Sequence, residues 1–164
     1  MKKVDTRKLV NVALLIGLNI VFSRFVSVSA WNFKISFAFA TLLVAGYLYG
    51  PTEALIVGGI GDLIGSLLFP IGAYNPLLTL TAALSGVIFG LFIYNDLSIK
   101  RIVPMVLINQ IGVSLLLNTL IISIMYNVEF WHLFATRAIQ CVIMIAVEII
   151  TAKALSAFIP KLKK

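Results

Sequence analysis

The sequence predicts an all-α integral membrane protein that crosses the bilayer with six helices. Three observations carry that expectation. The first is composition: of 164 residues, 61% are hydrophobic and 12% charged, with a mean hydropathy of +1.09. A soluble domain holds about 25% charged residues, so too little polar surface is present to cover a soluble fold. The second is that the apolar residues fall into six runs bounded by glycine, proline, asparagine or charge. The third is charge placement. Ten of the thirteen basic residues are Lys2, Lys3, Arg7, Lys8, Lys100, Arg101, Lys153, Lys161, Lys163 and Lys164, at the two termini and in one connecting loop. With six spans these places share one side of the membrane, the positive-inside pattern that puts both termini in the cytoplasm. Basic residues divided in this way form no single face, so the net charge of +7 does not imply nucleic acid.

The first span is expected over about 8–25, with Ala13-x-x-x-Gly17 as a stripe of small residues. That stripe serves either internal packing or docking against a partner chain. Residues 26–35 read as an outer loop containing Trp31 and Lys34. Arg24 stands between the apolar run and Val28-Ser29-Ala30, which argues against a cleaved signal peptide there. The second span, about 36–49, is short and ends at Gly50-Pro51; the third starts there, with Pro51 and Glu53 suited to a helix start, and runs to about Phe69. Short segments interrupted by glycine or proline are where transporter folds tend to place binding sites.

The third span holds one acid, Asp62, among Gly58, Gly59, Gly61 and Gly65. A carboxylate at mid-membrane needs a partner or a polar cavity. The loop 69–76 leads to a fourth span over about 77–95, whose Ala82-x-x-x-Gly86-x-x-x-Gly90 face reads as packing. A fifth span is expected over about 102–126 and a sixth over about 130–158. No repeat or flexible linker divides the chain, so residues 1–164 read as one domain, with any ATPase expected on another chain.

Arg24, Lys34 and Arg137 are the basic residues outside the terminal and loop clusters, and all fall in the outer half. Arg137 pairs either with Asp62 or with an anionic ligand group, which a planar guanidinium grips bidentately. Arg24 and Lys34 are either a second anion contact or flanking charges that snorkel to the interface. Most aromatics, including Trp31, Phe37 and Tyr74, also fall in the outer half. A membrane belt is enriched on both sides, so some of these are free to stack a flat ligand. The intramembrane amides Asn109, Gln110, Asn118 and Gln140 offer donors and acceptors to a heterocycle edge or to one another. One histidine and one cysteine make no metal cluster, no phosphate-binding loop is present, and Glu148 has no identifiable partner. No catalytic residue, metal or cofactor is therefore expected.

Gly58-Gly59-Ile60-Gly61-Asp62-Leu63-Ile64-Gly65, followed by Phe69-Pro70-Ile71-Gly72-Ala73-Tyr74-Asn75-Pro76, resembles the S components of energy-coupling-factor (ECF) vitamin transporters. Arg24-Phe25, Ile35-Ser36-Phe37, Tyr49-Gly50-Pro51, Asn118-Thr119 and Thr136-Arg137 with Gln140 make the chain most similar to the folate-specific members. Pro76-Leu77-Leu78-Thr79 departs from the Pro-Gly-Phe-Thr common there, which leaves pantothenate or a thiamin precursor as alternatives. The resemblance implies the S-component fold and a bacterial cell-membrane subunit that captures a vitamin from outside. It implies partnership with a membrane coupling protein and two cytoplasmic ATPases, and release inward by toppling. Ala13 and Gly17 match the family's docking face. For a folate, Arg24, Lys34 and Arg137 suit the anionic tail, Trp31, Phe37 and Tyr74 the stacking walls, and Asn118, Gln140 and Asp62 the polar ring edge.

Overall fold

The computed structural model describes residues 6–30 and 33–158, with 28–30, 33 and 34 described through their backbone alone. Helix α1 (Thr6–Arg24) leads into an antiparallel hairpin of β1 (Ser27–Ala30) and β2 (Phe33–Ser36), with Ser27 opposite Ser36 and Ala30 opposite Phe33. Then follow α2 (Ala38–Tyr49), α3 (Pro51–Leu68) and α4 (Pro76–Ile93). Helix α5 (Ile99–Leu107), a π-helical segment (Ile108–Leu117) and α6 (Asn118–Tyr126) run on as one 28-residue rod, and α7 (Phe130–Ser156) closes the fold.

Among the described residues five helices are long and apolar enough to cross a membrane: α1, α3, α4, the α5–α6 rod and α7. Helix α2, expected as a short span over about 36–49, has 12 residues. At 1.5 Å per residue it is about 18 Å long, against a hydrocarbon core of about 30 Å. In place of the expected loop before it stands a strand pair, and β2 delivers the chain to the start of α2. Large apolar side chains such as Leu14, Leu67, Leu80, Ile124, Val142 and Ile150 cover the outside, as a multi-pass membrane protein requires.

Small residues set the helix spacing. A Cβ at Gly58 would stand 2.5 Å from the Ala82 carbonyl oxygen, and one at Gly86 or Gly90 would run into the backbone of Ala54 or Pro51. The α4 stripe is therefore a packing face against α3, as expected. Gly50 joins α2 to α3 at φ 93°, a conformation favouring glycine, and Pro51 opens the next helix. Lys8 pairs with Glu53 at the same end, where Asn11 also donates to the Tyr49 hydroxyl at 2.8 Å.

The fully buried apolar side chains Leu43, Ala54, Val57, Phe89, Ile93, Ile102, Met105, Val106 and Ala152 gather toward the end that carries Gly50 and the α4–α5 loop. The opposite end, with the β-hairpin and the 69–75 loop, is hollow. Gly86→Ala places a methyl against backbone that has no rotamer to yield, so we expect a loss of about 1–3 kcal/mol, seen as a lower melting temperature in detergent. Gly17→Ala, whose Cβ meets nothing within 4 Å, leaves that temperature unchanged.

Candidate functional site

The hollow end holds a cavity of about 570 Å³, within the size range of small-molecule sites. Every helix except α5 contributes to its lining, as do the π-helical segment, Ser36 of β2 and the loop 70–75. Its wall beside the hairpin is built on one ionic knot. Arg24, the last residue of α1, donates through Nη2 to Asp62 Oδ1 at 3.4 Å and to Ser66 Oγ at 2.6 Å. Thr79 of α4 donates to Asp62 Oδ2 at 2.9 Å, and Ser66 does so at 3.5 Å. Gly61 and Gly65 make this reach possible, since a Cβ there would meet Asn19 Oδ1 at 2.6 Å and Arg24 Nε at 3.0 Å. The Arg24 side chain is 8% exposed and that of Asp62 22%, so the pair is an interior fastening of α1, α3 and α4.

This corrects two expectations. Asp62 takes Arg24, and not Arg137, as its cation, because α1 packs directly on α3 while α7 packs on the π-helical segment. Arg24 is also not a snorkelling flank charge. Arg137 lines the cavity, and its Nη2 donates to the Ser114 carbonyl of the π-helical segment at 3.1 Å.

Asn118 and Gln140 line the cavity too, and Asn118 Oδ1 accepts from Thr81 Oγ1 at 2.6 Å. Tyr74 stands at the mouth, 40% exposed. Phe37 does not line the cavity: it is 40% exposed, and Phe39, 6% exposed, lines it instead. The two rings are 6.1 Å apart, and the N-terminus of α2 between them turns one inward and the other out. Trp31 lies outside the described residues, and Lys34 is placed by its backbone alone, opposite Ser29.

The structure adds Phe39, Tyr126, Asn109, Gln110 and Glu148 to the lining. Gln110 Nε2 donates to Glu148 Oε1 at 2.7 Å, so the partner of Glu148 stands 38 residues away along the chain. The available signal was helical spacing: Arg137, Cys141, Met144 and Glu148 follow one another by three or four residues on one face of α7. The π-helical turn, a geometry frequent at functional sites, lets the neighbours Asn109 and Gln110 both line the cavity. On the outside of α1, Val10, Ala13, Leu14, Gly17, Leu18 and Val21 form a shallow apolar groove.

Fold and cavity define a multi-pass membrane protein with an internal site of ligand size. The family model described as "ECF-type riboflavin transporter, S component" matches residues 3–161. The folate transporter FolT of Clostridium novyi is 38% identical over 151 residues, covering 92% of this chain and 87% of that protein. FolT of Leuconostoc mesenteroides is 29% identical, covering 90% and 83%. A crystal structure of FolT bound with folic acid superposes with a TM-score of 0.87 at 32% identity, covering 92% of this chain and 93% of that one. The chain belongs to the S components of ECF-type transporters and is of the FolT type. It is a transport subunit and not an enzyme.

Asp62→Leu leaves the Arg24 guanidinium buried without its anion. We expect it to cost about 3–5 kcal/mol, and the double variant Arg24→Met/Asp62→Leu to recover part of that; thermal unfolding in detergent measures both.

Proposed function

We propose that this chain is the high-affinity substrate-binding subunit of an ECF-type importer in a bacterial cell membrane, capturing folate from outside and delivering it inward. The observation that carries the reading is the cavity itself: aromatic and aliphatic walls, a guanidinium and amides inside, and a closed core beneath. The likeness to FolT with folic acid supports folate as the ligand, since that protein shares the fold at 32% identity. Arg137, with Lys34 at the hairpin, receives the carboxylate tail, Tyr74 and Trp31 cover the aromatic rings, and Asn118 and Gln140 supply polar contacts. Phe39 takes the stacking place that the sequence assigned to Phe37, while Arg24 and Asp62 hold the wall.

In this reading the chain is one domain of six spans, α2 crossing together with the hairpin that precedes it, and both termini are cytoplasmic. Lys100, Arg101 and Lys153 lie at the end away from the hairpin, which suits that orientation. The α1 groove around Ala13 and Gly17 docks the membrane coupling protein, which works with two cytoplasmic ATPases. An uncovered small-residue groove admits close helix contact.

Calorimetric titration of the detergent-purified chain with folic acid should give one-to-one binding, and Arg137→Ala should weaken it about 10- to 100-fold while the protein still melts cooperatively. Riboflavin is the matched control, because the family model carries that vitamin's name. Heat with riboflavin and none with folic acid would overturn the folate assignment. In vesicles with the complete transporter, Gly17→Leu should abolish uptake while leaving binding by the isolated subunit intact.

A further inference from the structure

Asn118, at the start of α6, lines the cavity, and a residue of α4 holds its side chain. Thr81 donates through Oγ1 to Asn118 Oδ1 at 2.6 Å. Thr81 is buried and also lines the cavity. The same hydroxyl stands 2.8 Å from the carbonyl oxygen of Leu78, one turn back on α4. A threonine hydroxyl has a single proton, so these two acceptors compete for it. Leu78 lies inside α4, where the helix ladder already supplies its carbonyl with a backbone N–H. A side-chain carbonyl has no such supply, and the contact to Asn118 is the shorter of the two. The proton belongs to Asn118.

An amide has two ends of opposite character, a carbonyl that accepts and an amino group that donates twice. Whichever end faces the cavity decides what a ligand must offer there. Were the Thr81 proton on Leu78, Asn118 would turn its amino group to the hydroxyl oxygen and show its carbonyl to the cavity. With the proton on Oδ1 the carbonyl is engaged, and the amino group is left for the ligand. The backbone of Asn118 leaves little other freedom: it is helical, at φ −66° and ψ −34°, and its N–H donates to the Val113 carbonyl. The choice of end therefore rests with the side chain, and with Thr81.

Resting on the reading of this cavity as the vitamin site, we propose that Thr81 is a positioning residue for ligand binding. Its hydroxyl fixes Asn118 with the amino group toward the cavity, so the ligand meets α6 through a hydrogen-bond acceptor. A strap that merely joined α4 to α6 would need the hydrogen bond and would be indifferent to the end of the amide left over.

Calorimetric titration of the purified chain with folic acid tests this through a double-mutant cycle. Thr81→Val keeps the shape and removes the proton, and it should bind about 10-fold more weakly. Thr81→Ser should bind like the wild type. In an Asn118→Ala background Thr81→Val should cost nothing further. Wild-type affinity in a folded Thr81→Val would overturn the proposal, as would an equal second loss in Asn118→Ala, or a Thr81→Ser no better than Thr81→Val. Should the valine variant fail to fold, NMR of the wild type with isotope-labelled asparagine decides. The side-chain amide signal that Asn118→Ala removes should move to lower field when folic acid is added, and an unmoved signal would overturn the proposal. Heat with riboflavin and none with folic acid would overturn the folate assignment only, and the same cycle run with riboflavin then decides on Thr81.

Discussion

The contact on which the rest of this structure depends is the backbone-level packing of α3 against α4. Lipid is as apolar as leucine, so helices in a membrane are not driven together by hydrophobic burial; close packing must hold them. Gly58 against Ala82, Gly86 against Ala54 and Gly90 against Pro51 supply it, and Gly46 brings α2 onto Gly90. With the backbones in contact at that end, Leu43, Phe89, Ile93, Ile102 and Met105 fill the remaining space without an opening for water. Gly46, Gly86 and Gly90 make the contacts away from the cavity, whereas Gly58 and Ala82 line it themselves.

Much of this was legible in the sequence because it is periodic and local. Small residues four apart on α4 announce a packing face whatever they pack against. The apolar runs mark the long helices, and Gly50-Pro51 marks a helix junction through elementary backbone chemistry. The hairpin was legible in principle as well: Val26-Ser27-Val28-Ser29 alternates with period two, a signal overshadowed by the expectation of a loop between spans. Tertiary neighbours were not legible. Arg24 and Arg137 are equally plausible partners for Asp62 along the chain, and only the adjacency of α1 to α3 decides between them. Phe37 and Phe39 differ by two positions, and which faces inward depends on where α2 begins. The π-helical segment leaves no mark in composition, yet it brings Asn109 and Gln110 into the same cavity.

Family likeness identified a transport subunit of the FolT type. Geometry then redistributed the roles that likeness suggested for individual side chains: Arg24 and Asp62 became a fastening between three helices, and Phe39 took the cavity position expected of Phe37. A motif shared across relatives records that residues matter without recording whether they touch a ligand or hold the wall that touches it. Glycines 61 and 65 show the difference, since their absent side chains leave the space that Arg24 and Asn19 occupy.

The two acids of the cavity follow one rule with opposite consequences. In a low-dielectric interior an ionisable or strongly polar group is stable only with its hydrogen bonds made. Asp62 has three donors from its own chain, so it links α1, α3 and α4 and has little capacity left for anything else. Glu148 has one donor, on a segment whose other side-chain carbonyls are likewise unmatched. A set of acceptors that the chain itself leaves incomplete makes the energy of the site depend on what it holds. A rigid ligand with donors in the right places repairs the deficit, and a ligand with acceptors there deepens it. Selectivity of that kind needs no moving part at the floor, only a carboxylate that the fold holds in place and declines to satisfy.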